Sequence, residues 1–388
     1  MSSVSGSKVM PRPLLLVTND LGPRAGGIET FILGLLEQLP GEQIVIYTSS
    51  QPGAAEFDQE LMRRRGILVI RDRAKVLLPT PLVNRRVVKV MKTYGSTTIW
   101  FGAATPLAWM AAKLKRAGAT RLITLTHGHE VWWAKIFPFS WIMRKIGNSL
   151  DVVTYLGDFT RGAISPALGK SPELVRIAPG IDLSHFTPGA KDPELMSKYH
   201  LEGRKIIISV GRLVHRKGQD RLIQAMPSIL RTIPTATLLF VGEGPYKAEL
   251  EKLVAKYQLS QSVQFIGRLK YPELPLHIRL GDVFAMPSRS RFFGLEVEGL
   301  GIVYLEASAC GLPVIAGKSG GAPDAVIESE TGLLVDGTNV SEIAAAAIEL
   351  LSDPERAKGM GANGRAWVEK EWGWKLWGSK FIELLQIQ

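Results

Sequence analysis

The chain has 388 residues, enough for two or three domains, and its 46% hydrophobic and 21% charged residues are typical of a globular protein rather than a disordered one. The net charge is +11, and the single cysteine, Cys310, excludes an intramolecular disulfide and is typical of a reducing compartment, where we expect it to be a small packing residue. The uncharged residues 95–112 are interrupted by Gly, Pro and Thr, so they predict a strand, a turn and a helix start rather than a membrane span. The N-terminal segment, residues 1–13, lacks the apolar core of a signal peptide.

The first half of the chain alternates short apolar runs with helical patterns and loops. A glycine-containing loop and a helix with apolar residues at helical spacing follow the first run. Alternation of this kind predicts βαβ units and a parallel sheet. The predicted strands are PLLLVTND, QIVIYTS, ILVIRD, TTIWFGA, RLITLTHG and DVVTYLG.

Residues 177–189 contain Pro and Gly and read as a linker, after which a second α/β series begins. We therefore expect an N-terminal Rossmann-like domain at 1–187 and a C-terminal one at 188–370, with a helix at 371–388 packing back on the first. Ligands of such sheets bind at the carboxyl ends of the strands, which predicts a cleft between two facing domains. The predicted strands of the second series are KIIISVGRL, ATLLFVGEG, VQFIGRL, DVFAMPS, LPVIAG and TGLLVDG.

The positive charge is concentrated in the first half of the chain. Residues 1–187 have a balance of +10 and residues 188–388 a balance of +1, and ten Lys and Arg lie between 61 and 92 against the single acid Asp72. This pattern indicates an anionic partner, either nucleic acid or an anionic membrane surface. We expect the membrane, because no nucleic-acid-binding motif is found and residues 132–145 mix large aromatics with Lys and Arg. A core helix with an aromatic face remains the alternative for that stretch.

The segment SVGRLVHRKGQD places Arg212 and Lys217 in the loop after a predicted strand. A guanidinium and an ammonium at the carboxyl end of a strand suit a diphosphate, although a solvated basic loop is the simpler alternative.

The segment EGLGIVYLEA raises a question, because it holds two acids in an apolar run and a buried carboxylate needs a partner. We expect a helix to begin near Ile302, with the amides of Ile302 and Val303 facing a phosphate. Glu298 lies just before this helix and Glu306 about one turn inside it. Their carboxylates can accept hydrogen bonds from a ribose and a sugar, or they can simply cap and solvate the helix start.

In the first domain, Gly26 and Gly27 allow the backbone to approach an anionic group at a helix N-terminus. His127 follows a predicted strand, with His129 two residues later, so His127 is a candidate functional residue, although a lone His is usually structural.

Several common sites are missing from the sequence. There is no Asp-x-Asp pair and no Cys/His cluster with zinc spacing, so we expect no metal. The run VGEGPYK carries Lys247 where a dinucleotide fingerprint needs its third glycine.

Together these motifs resemble the retaining GT-B glycosyltransferases, which have two facing Rossmann-like domains and a Glu–seven residues–Glu motif, here Glu298 to Glu306. More narrowly, the chain is similar to the actinobacterial PimB-type phosphatidylinositol monomannoside mannosyltransferases. The resemblance extends over nearly the whole chain. The segments that carry it are VTND, GGIE, WFGAATPLA, THGHEV, RKGQD, FAMPSR, EVEGLGIVYLEA and SGGAP.

The resemblance implies a role for each candidate residue. Glu306 would bind the nucleotide ribose, Arg212 and Lys217 the diphosphate, and Glu298 and His127 the sugar. The remaining residues of the expected donor site are Gly26 and Gly27 near the phosphate, Arg268, Ile302 and Val303, with Gly320 and Gly321 closing the pocket. Phe292 and Phe293 depart from the pattern, because similar enzymes tend to have glycines there.

The implied function is transfer of mannose from GDP-mannose to a phosphatidylinositol monomannoside, without a metal or other cofactor. The reaction would be a front-side one that retains the anomeric configuration, with Arg212, Lys217 and the helix amides stabilising the leaving diphosphate. We expect a cytoplasmic enzyme that is peripheral on the inner face of the plasma membrane. Alternatives are a transferase with another nucleotide sugar or a soluble acceptor, a sugar-nucleotide epimerase on the same scaffold, a dehydrogenase, and a binding protein without activity.

Overall fold

The structure is a computed structural model that describes residues 13–23 and 26–385. Residues 1–12, which form most of the segment expected to lack a signal-peptide core, therefore lie outside the described residues. Within the described ranges, no helix has both the length and the apolar character needed to cross a bilayer. The chain divides into two compact units. The first comprises the described residues up to Tyr155, Ala163–Ile177 and the residues from Trp377 on, and the second comprises Leu156–Gly162 and Ala178–Leu376.

The first unit contains a sheet of seven parallel strands. These are β1 (Leu14–Thr18), β2 (Ile44–Thr48), β3 (Leu68–Arg71), β4 (Thr98–Phe101), β5 (Arg121–Thr124), β6 (Val152–Tyr155) and β7 (Glu173–Arg176). Their spatial order is β3-β2-β1-β4-β5-β6-β7, so the strand order reverses between β1 and β4. The strands β1 and β2 are buried along their whole length, as expected for central parallel strands covered on both faces.

Helices follow most of these strands in the chain. They are α1 (Gly27–Gln38), α2 (Ala54–Arg65), α3 (Pro81–Tyr94), α4 (Ala111–Arg116), α5 (Glu130–Lys135), α6 (Phe139–Gly147) and α7 (Asp158–Leu168).

The second unit contains six parallel strands and the remaining helices, except that the last helix belongs to the first unit from Trp377 on. In chain order these are α8 (Pro193–Lys198), β8 (Lys205–Val210), α9 (Gln219–Thr232), β9 (Ala236–Val241), α10 (Lys247–Lys256), β10 (Val263–Gly267), α11 (Leu274–Ile278), β11 (Val283–Met286), α12 (Ile302–Ala309), β12 (Val314–Gly317), β13 (Gly332–Val335), α13 (Val340–Ser352), α14 (Pro354–Glu371) and α15 (Trp374–Leu385). The sheet order is β10-β9-β8-β11-β12-β13, which reverses between β8 and β11. In open α/β sheets this reversal is where ligands bind.

The twelve strands predicted from apolar runs are all confirmed. Among the strands of the described residues, the pattern missed only β7, whose sequence ELVR is four residues long with a charge at each end. The predicted helical tail is present but is interrupted at Trp372 and Gly373, where the Ile181 amide donates to the Trp372 carbonyl at 2.7 Å. Cys310 is buried, as expected of a packing residue, and burial raises the pKa of its thiol to about 12.

Candidate active site

The best-defined contact of the candidate site joins the loop after β8 to the loop before α12. Lys217 Nζ lies 2.7 Å from Glu298 Oε2, and Arg216 Nε lies 3.9 Å from the same oxygen. Both Lys217 and Glu298 are buried. Burial alone would raise the pKa of Glu298, but the charges of Lys217 and Arg216 outweigh it and hold the pKa below its usual range. The partner that the sequence required for one acid is therefore Lys217.

The helix α12 begins at Ile302, as predicted, and presents its first amides at the end of the Glu298 loop. Gly301 precedes the helix with a φ of +80°, a left-handed conformation that favours glycine. The first turn carries no acidic side chain, so nothing on the helix itself neutralises the positive end of its dipole. Such a terminus favours a negatively charged ligand.

Glu306 lies one turn further along α12 and is only partly exposed. Burial raises the pKa of Glu306 to about 7, and the charge of Lys217 opposes this only in part. None of the residues that the structure describes forms a hydrogen bond or ion pair with its carboxylate. Lys217 is thus electrostatically coupled to both acids of the motif, while Glu306 retains its capacity to accept hydrogen bonds from a ligand.

The glycine pair Gly320–Gly321 packs directly against the backbone at Glu298. The Gly321 amide donates to the Glu298 carbonyl at 2.8 Å. A Cβ at Gly320 would lie 2.2 Å from that same carbonyl oxygen, and the φ of Gly320 is +56°. This close approach is the physical reason for glycine in the SGGAP segment, because a side chain there would displace the loop that holds Glu298.

The two other predicted basic residues of this unit lie at the same sheet edge but are not brought into contact with the acids. Arg212 follows β8 and Arg268 follows β10, and both are exposed. Across the described parts of the chain, neither guanidinium has an ion-pair partner. The structure therefore brings together Lys217, Glu298 and the start of α12, and leaves the roles of Arg212 and Arg268 as predictions.

In the first unit, His127 follows β5 and its ring is fixed by the neighbouring strand end. Nε2 lies 2.6 Å from the carbonyl oxygen of Gly102, which follows β4. A carbonyl can only accept, so this contact places a proton on Nε2. Burial lowers the pKa of His127 below its usual value, against the opposing charge of Glu130, and the ring is therefore neutral with Nδ1 as an acceptor.

Sequence reasoning missed the residue that holds the His127 loop. The buried Glu130 accepts hydrogen bonds at one carboxylate oxygen from the amides of His127 (2.9 Å) and Gly128 (3.1 Å). Its other oxygen lies 3.3 Å from His129 Nε2. The signal was present in the segment THGHEV, where an acid three residues after His127 can cap the amides of the turn.

A second missed pair supports the Lys217 loop. The Arg289 guanidinium donates to both carboxylate oxygens of Asp220, at 2.8 and 3.0 Å, and both residues are largely buried. The Arg289 amide also donates to the Arg216 carbonyl at 2.8 Å. This bidentate pair fixes the loop after β11 against the start of α9, beside Lys217, and its members belong to the segments RKGQD and FAMPSR.

The other predicted glycines lie at the start of α1, which begins at Gly27. Gly26 is the N-cap in an extended conformation, and a Cβ there would lie 2.4 Å from Glu29 Oε2. No atom lies within 4 Å of a Cβ added at Gly27. A Cβ at Gly26 would therefore require the Glu29 side chain to move, whereas Gly27 leaves its helix start open.

Comparisons with known proteins agree with this arrangement. Residues 191–367 match the family model of glycosyl transferases group 1, and residues 25–185 match that of glycosyltransferase family 4. The chain is 42% identical to a GDP-mannose-dependent alpha-(1-6)-phosphatidylinositol monomannoside mannosyltransferase of Mycolicibacterium smegmatis and 43% identical to that of Mycobacterium tuberculosis. Each alignment covers 96% of this chain and 98% of the relative. The chain belongs to the glycosyltransferase family that contains these two mannosyltransferases.

The glycosyltransferase is also 42% identical to a Corynebacterium glutamicum mannosyltransferase named for a monoacylated form of that phosphatidylinositol monomannoside, over 97% of this chain and 98% of the relative. Among solved structures, HepE of Anabaena in complex with UDP has a TM-score of 0.80 at 19% identity, covering 96% of this chain and 99% of that one. Sucrose-phosphate synthase of Thermosynechococcus elongatus has a TM-score of 0.79 at 24% identity, covering 97% and 98%. The predicted GT-B class, with two Rossmann-like parallel sheets, is confirmed.

Proposed function

We propose that this glycosyltransferase transfers mannose from GDP-mannose to a phosphatidylinositol monomannoside. The observation that carries the proposal is the 42–43% identity to the mycobacterial mannosyltransferases over 96% of the chain. The buried Lys217–Glu298 pair at the reversal of the second sheet supports it, because this is the position where an α/β sheet binds its ligand.

In the proposed donor site, Lys217 and Arg212 bind the diphosphate together with the amides of Ile302 and Val303. Breaking the sugar–phosphate bond builds negative charge on the leaving diphosphate, and these fixed positive groups stabilise it without a metal. The Lys217 ammonium has three donors, so its contact with Glu298 leaves donors for phosphate oxygens. Arg268 is proposed to contribute from the end of β10, two strands away from β8.

The acids and the histidine take the hydroxyl contacts. Glu306, whose carboxylate has no partner among the described residues, accepts hydrogen bonds from the ribose hydroxyls. Glu298 accepts hydrogen bonds from the hydroxyls of the sugar. His127 accepts a hydrogen bond from a sugar hydroxyl at Nδ1. The backbone at Gly26 and Gly27 is proposed to lie close to the phosphate. We propose a front-side reaction that retains the anomeric configuration, in which the leaving phosphate helps to deprotonate the acceptor hydroxyl.

We also propose that the first unit contacts an anionic membrane surface at the inner face of the plasma membrane. Of the ten basic residues between 61 and 92, five have carboxylate partners, which are Glu37, Asp58, Glu60 and Asp72. The other five have no ion-pair partner within the described residues. These five are Arg73, Lys75, Arg85, Lys89 and Lys92.

The unpaired charges support a membrane contact at residues 73–92, and the exposed side chains of Phe137 (80%) and Trp141 (50%) support the predicted contact at residues 132–145. Exposed apolar side chains also lie in the first of these segments, namely Val76, Leu78 and Leu82, which are 52–59% exposed. Cations mixed with apolar groups suit the headgroup region of an anionic membrane. Binding to anionic vesicles that weakens with added salt tests this assignment.

The decisive test of the function is incubation of the enzyme with GDP-mannose and phosphatidylinositol monomannoside. We expect a dimannoside product with an α-linked mannose, formed equally well in EDTA. UDP- and ADP-sugars serve as donor controls. Turnover of a different donor and acceptor pair with no dimannoside, or consumption of the donor to an isomer without acceptor, would overturn the proposal.

A further inference from the structure

Two adjacent phenylalanines project from the loop between β11 and α12. Phe292 is 62% exposed and Phe293 is 104% exposed, so the Phe293 ring receives no packing from the rest of the chain. Large aromatic side chains are normally buried over most of their surface. The pair takes no part in the contacts of the candidate site, so its exposure needs a separate explanation.

The backbone holds these rings outward in a strained conformation. Phe292 and Phe293 have φ values of +49° and +54°, in the left-handed region that favours glycine. Two backbone hydrogen bonds close the loop at its base, from the Arg291 amide to the Glu296 carbonyl (2.9 Å) and from the Glu296 amide to the Arg291 carbonyl (3.2 Å). Glycine would relieve the strain and remove the exposed surface, yet the chain has phenylalanine at both positions. Such strain points to a function of the side chains.

Arg291, at the base of the loop, holds its guanidinium against the Phe292 ring. The Arg291 guanidinium carbon lies 4.7 Å from the centre of the Phe292 ring, and its NH1 lies 3.1 Å from Glu296 Oε2. Apolar aromatic side chains close to Lys or Arg are typical of segments that bind at the membrane–water interface. Because Glu296 neutralises the charge of Arg291, we expect this loop to bind a partner through its apolar rings rather than through charge.

We propose that Phe292 and Phe293 form an insertion tip that docks the second unit into the interface of a lipid bilayer. The inference rests on the proposed function in one respect, that the acceptor is a membrane lipid. A protein partner or second copy is disfavoured by area, because a stable protein interface buries about 800 Å² on each side and two rings on a projection offer much less. Two rings suffice for reversible partition into an interface.

The first test removes both rings without straining the backbone. The double variant Phe292→Gly/Phe293→Gly should fold as well as the wild type, because glycine accepts the positive φ. Binding to vesicles of phosphatidylcholine and phosphatidylglycerol is measured in about 1 M NaCl, where the Debye length of about 3 Å suppresses charge attraction. We expect the double variant to bind at least about tenfold more weakly, and Tyr257→Ser, at an exposed aromatic of the same unit, to bind like the wild type. Equal binding by the double variant and the wild type would overturn the proposal.

A second test locates the tip directly. In the variant Phe293→Cys, the emission of an environment-sensitive fluorophore attached at position 293 should shift to shorter wavelength when vesicles are added, and brominated acyl chains should quench it. The same label in the variant Tyr257→Cys should show neither change. The native Cys310 is buried and is not expected to react. No shift at position 293, or loss of a concentration-dependent dimer in the double variant with vesicle binding unchanged, would overturn the insertion tip.

Turnover separates this inference from the proposed function. With detergent-dispersed phosphatidylinositol monomannoside, the double variant should keep turnover within about twofold of the wild type, because the tip acts on the membrane and not on the reaction. If the wild type makes no dimannoside but binds vesicles through the two rings, the proposed function fails and the insertion tip stands. If the wild type forms the dimannoside but the rings contribute nothing to vesicle binding, the proposed function stands and the insertion tip fails.

Discussion

Replacing Glu306 by Gln should stabilise the fold at alkaline pH while it impairs donor binding. Burial raises the pKa of Glu306 from 4.5 to about 7 in the folded enzyme. Between these values the folded state holds a proton that the unfolded chain releases, so the free energy of unfolding of the wild type falls as the pH rises from about 4.5 to about 7. Each unit of pKa is worth about 1.4 kcal/mol, which gives a penalty of up to ~3 kcal/mol above pH 7.

The variant Glu306→Gln carries no ionisable group and avoids this penalty. Urea denaturation at pH 8.5 should show it to be up to ~3 kcal/mol more stable than the wild type, and at pH 5 the gain should be below ~1 kcal/mol. Glu202→Gln, at an exposed carboxylate in the loop after α8, is the matched control and should leave the free energy of unfolding within ~0.5 kcal/mol of the wild type. The same difference in stability at both pH values would refute the assignment of Glu306 as a largely buried carboxylate without a partner among the described residues.

Three further substitutions, one of them with a matched control, test other parts of the site. Lys217→Ala should lower kcat by about 100-fold, or roughly 3 kcal/mol, through lost stabilisation of the leaving diphosphate, and an unchanged kcat in steady-state assays would contradict this role. Glu130→Gln weakens the acceptor of two loop amides, so it should lower kcat and leave the Kd for GDP unchanged; equal loss of GDP binding would argue against a positioning role. Gly320→Ala should reduce turnover by displacing the Glu298 loop, whereas Gly359→Ala, with no atom within 4 Å in α14, should raise stability by about 0.5–1 kcal/mol and leave turnover intact.

The sequence predicted those features that depend on local pattern. Apolar runs with intervening helical spacing predicted twelve of the strands, and the glycines around Leu300 predicted the start of α12. Lys217 and Glu298 were predicted to lie in loops that lead from strands to helices, and this predicted their proximity because the carboxyl ends of parallel strands meet at one edge of the sheet.

Features that depend on distant partners could not be read from the sequence. Arg289 and Asp220 are 69 residues apart, and only the fold brings their charges together. Likewise, the basic run of the first half shows a single acid in sequence, yet acids from α1 and α2 neutralise part of it in space. The outward orientation of Phe293 also depends on a backbone conformation that its residue type disfavours, so no propensity argument would have predicted it.

The claim on which the account depends is that Lys217, Glu306 and the first amides of α12 hold a nucleotide sugar without a metal. Calorimetric titration of GDP-mannose in EDTA tests it most directly, with the wild type, Lys217→Ala and Glu306→Ala. The account predicts that the wild type binds in EDTA and that each variant binds at least about tenfold more weakly, since a hydrogen bond to a charged group is worth about 1.5–3 kcal/mol. Loss of wild-type binding in EDTA, or unchanged Kd values in both variants, would contradict it.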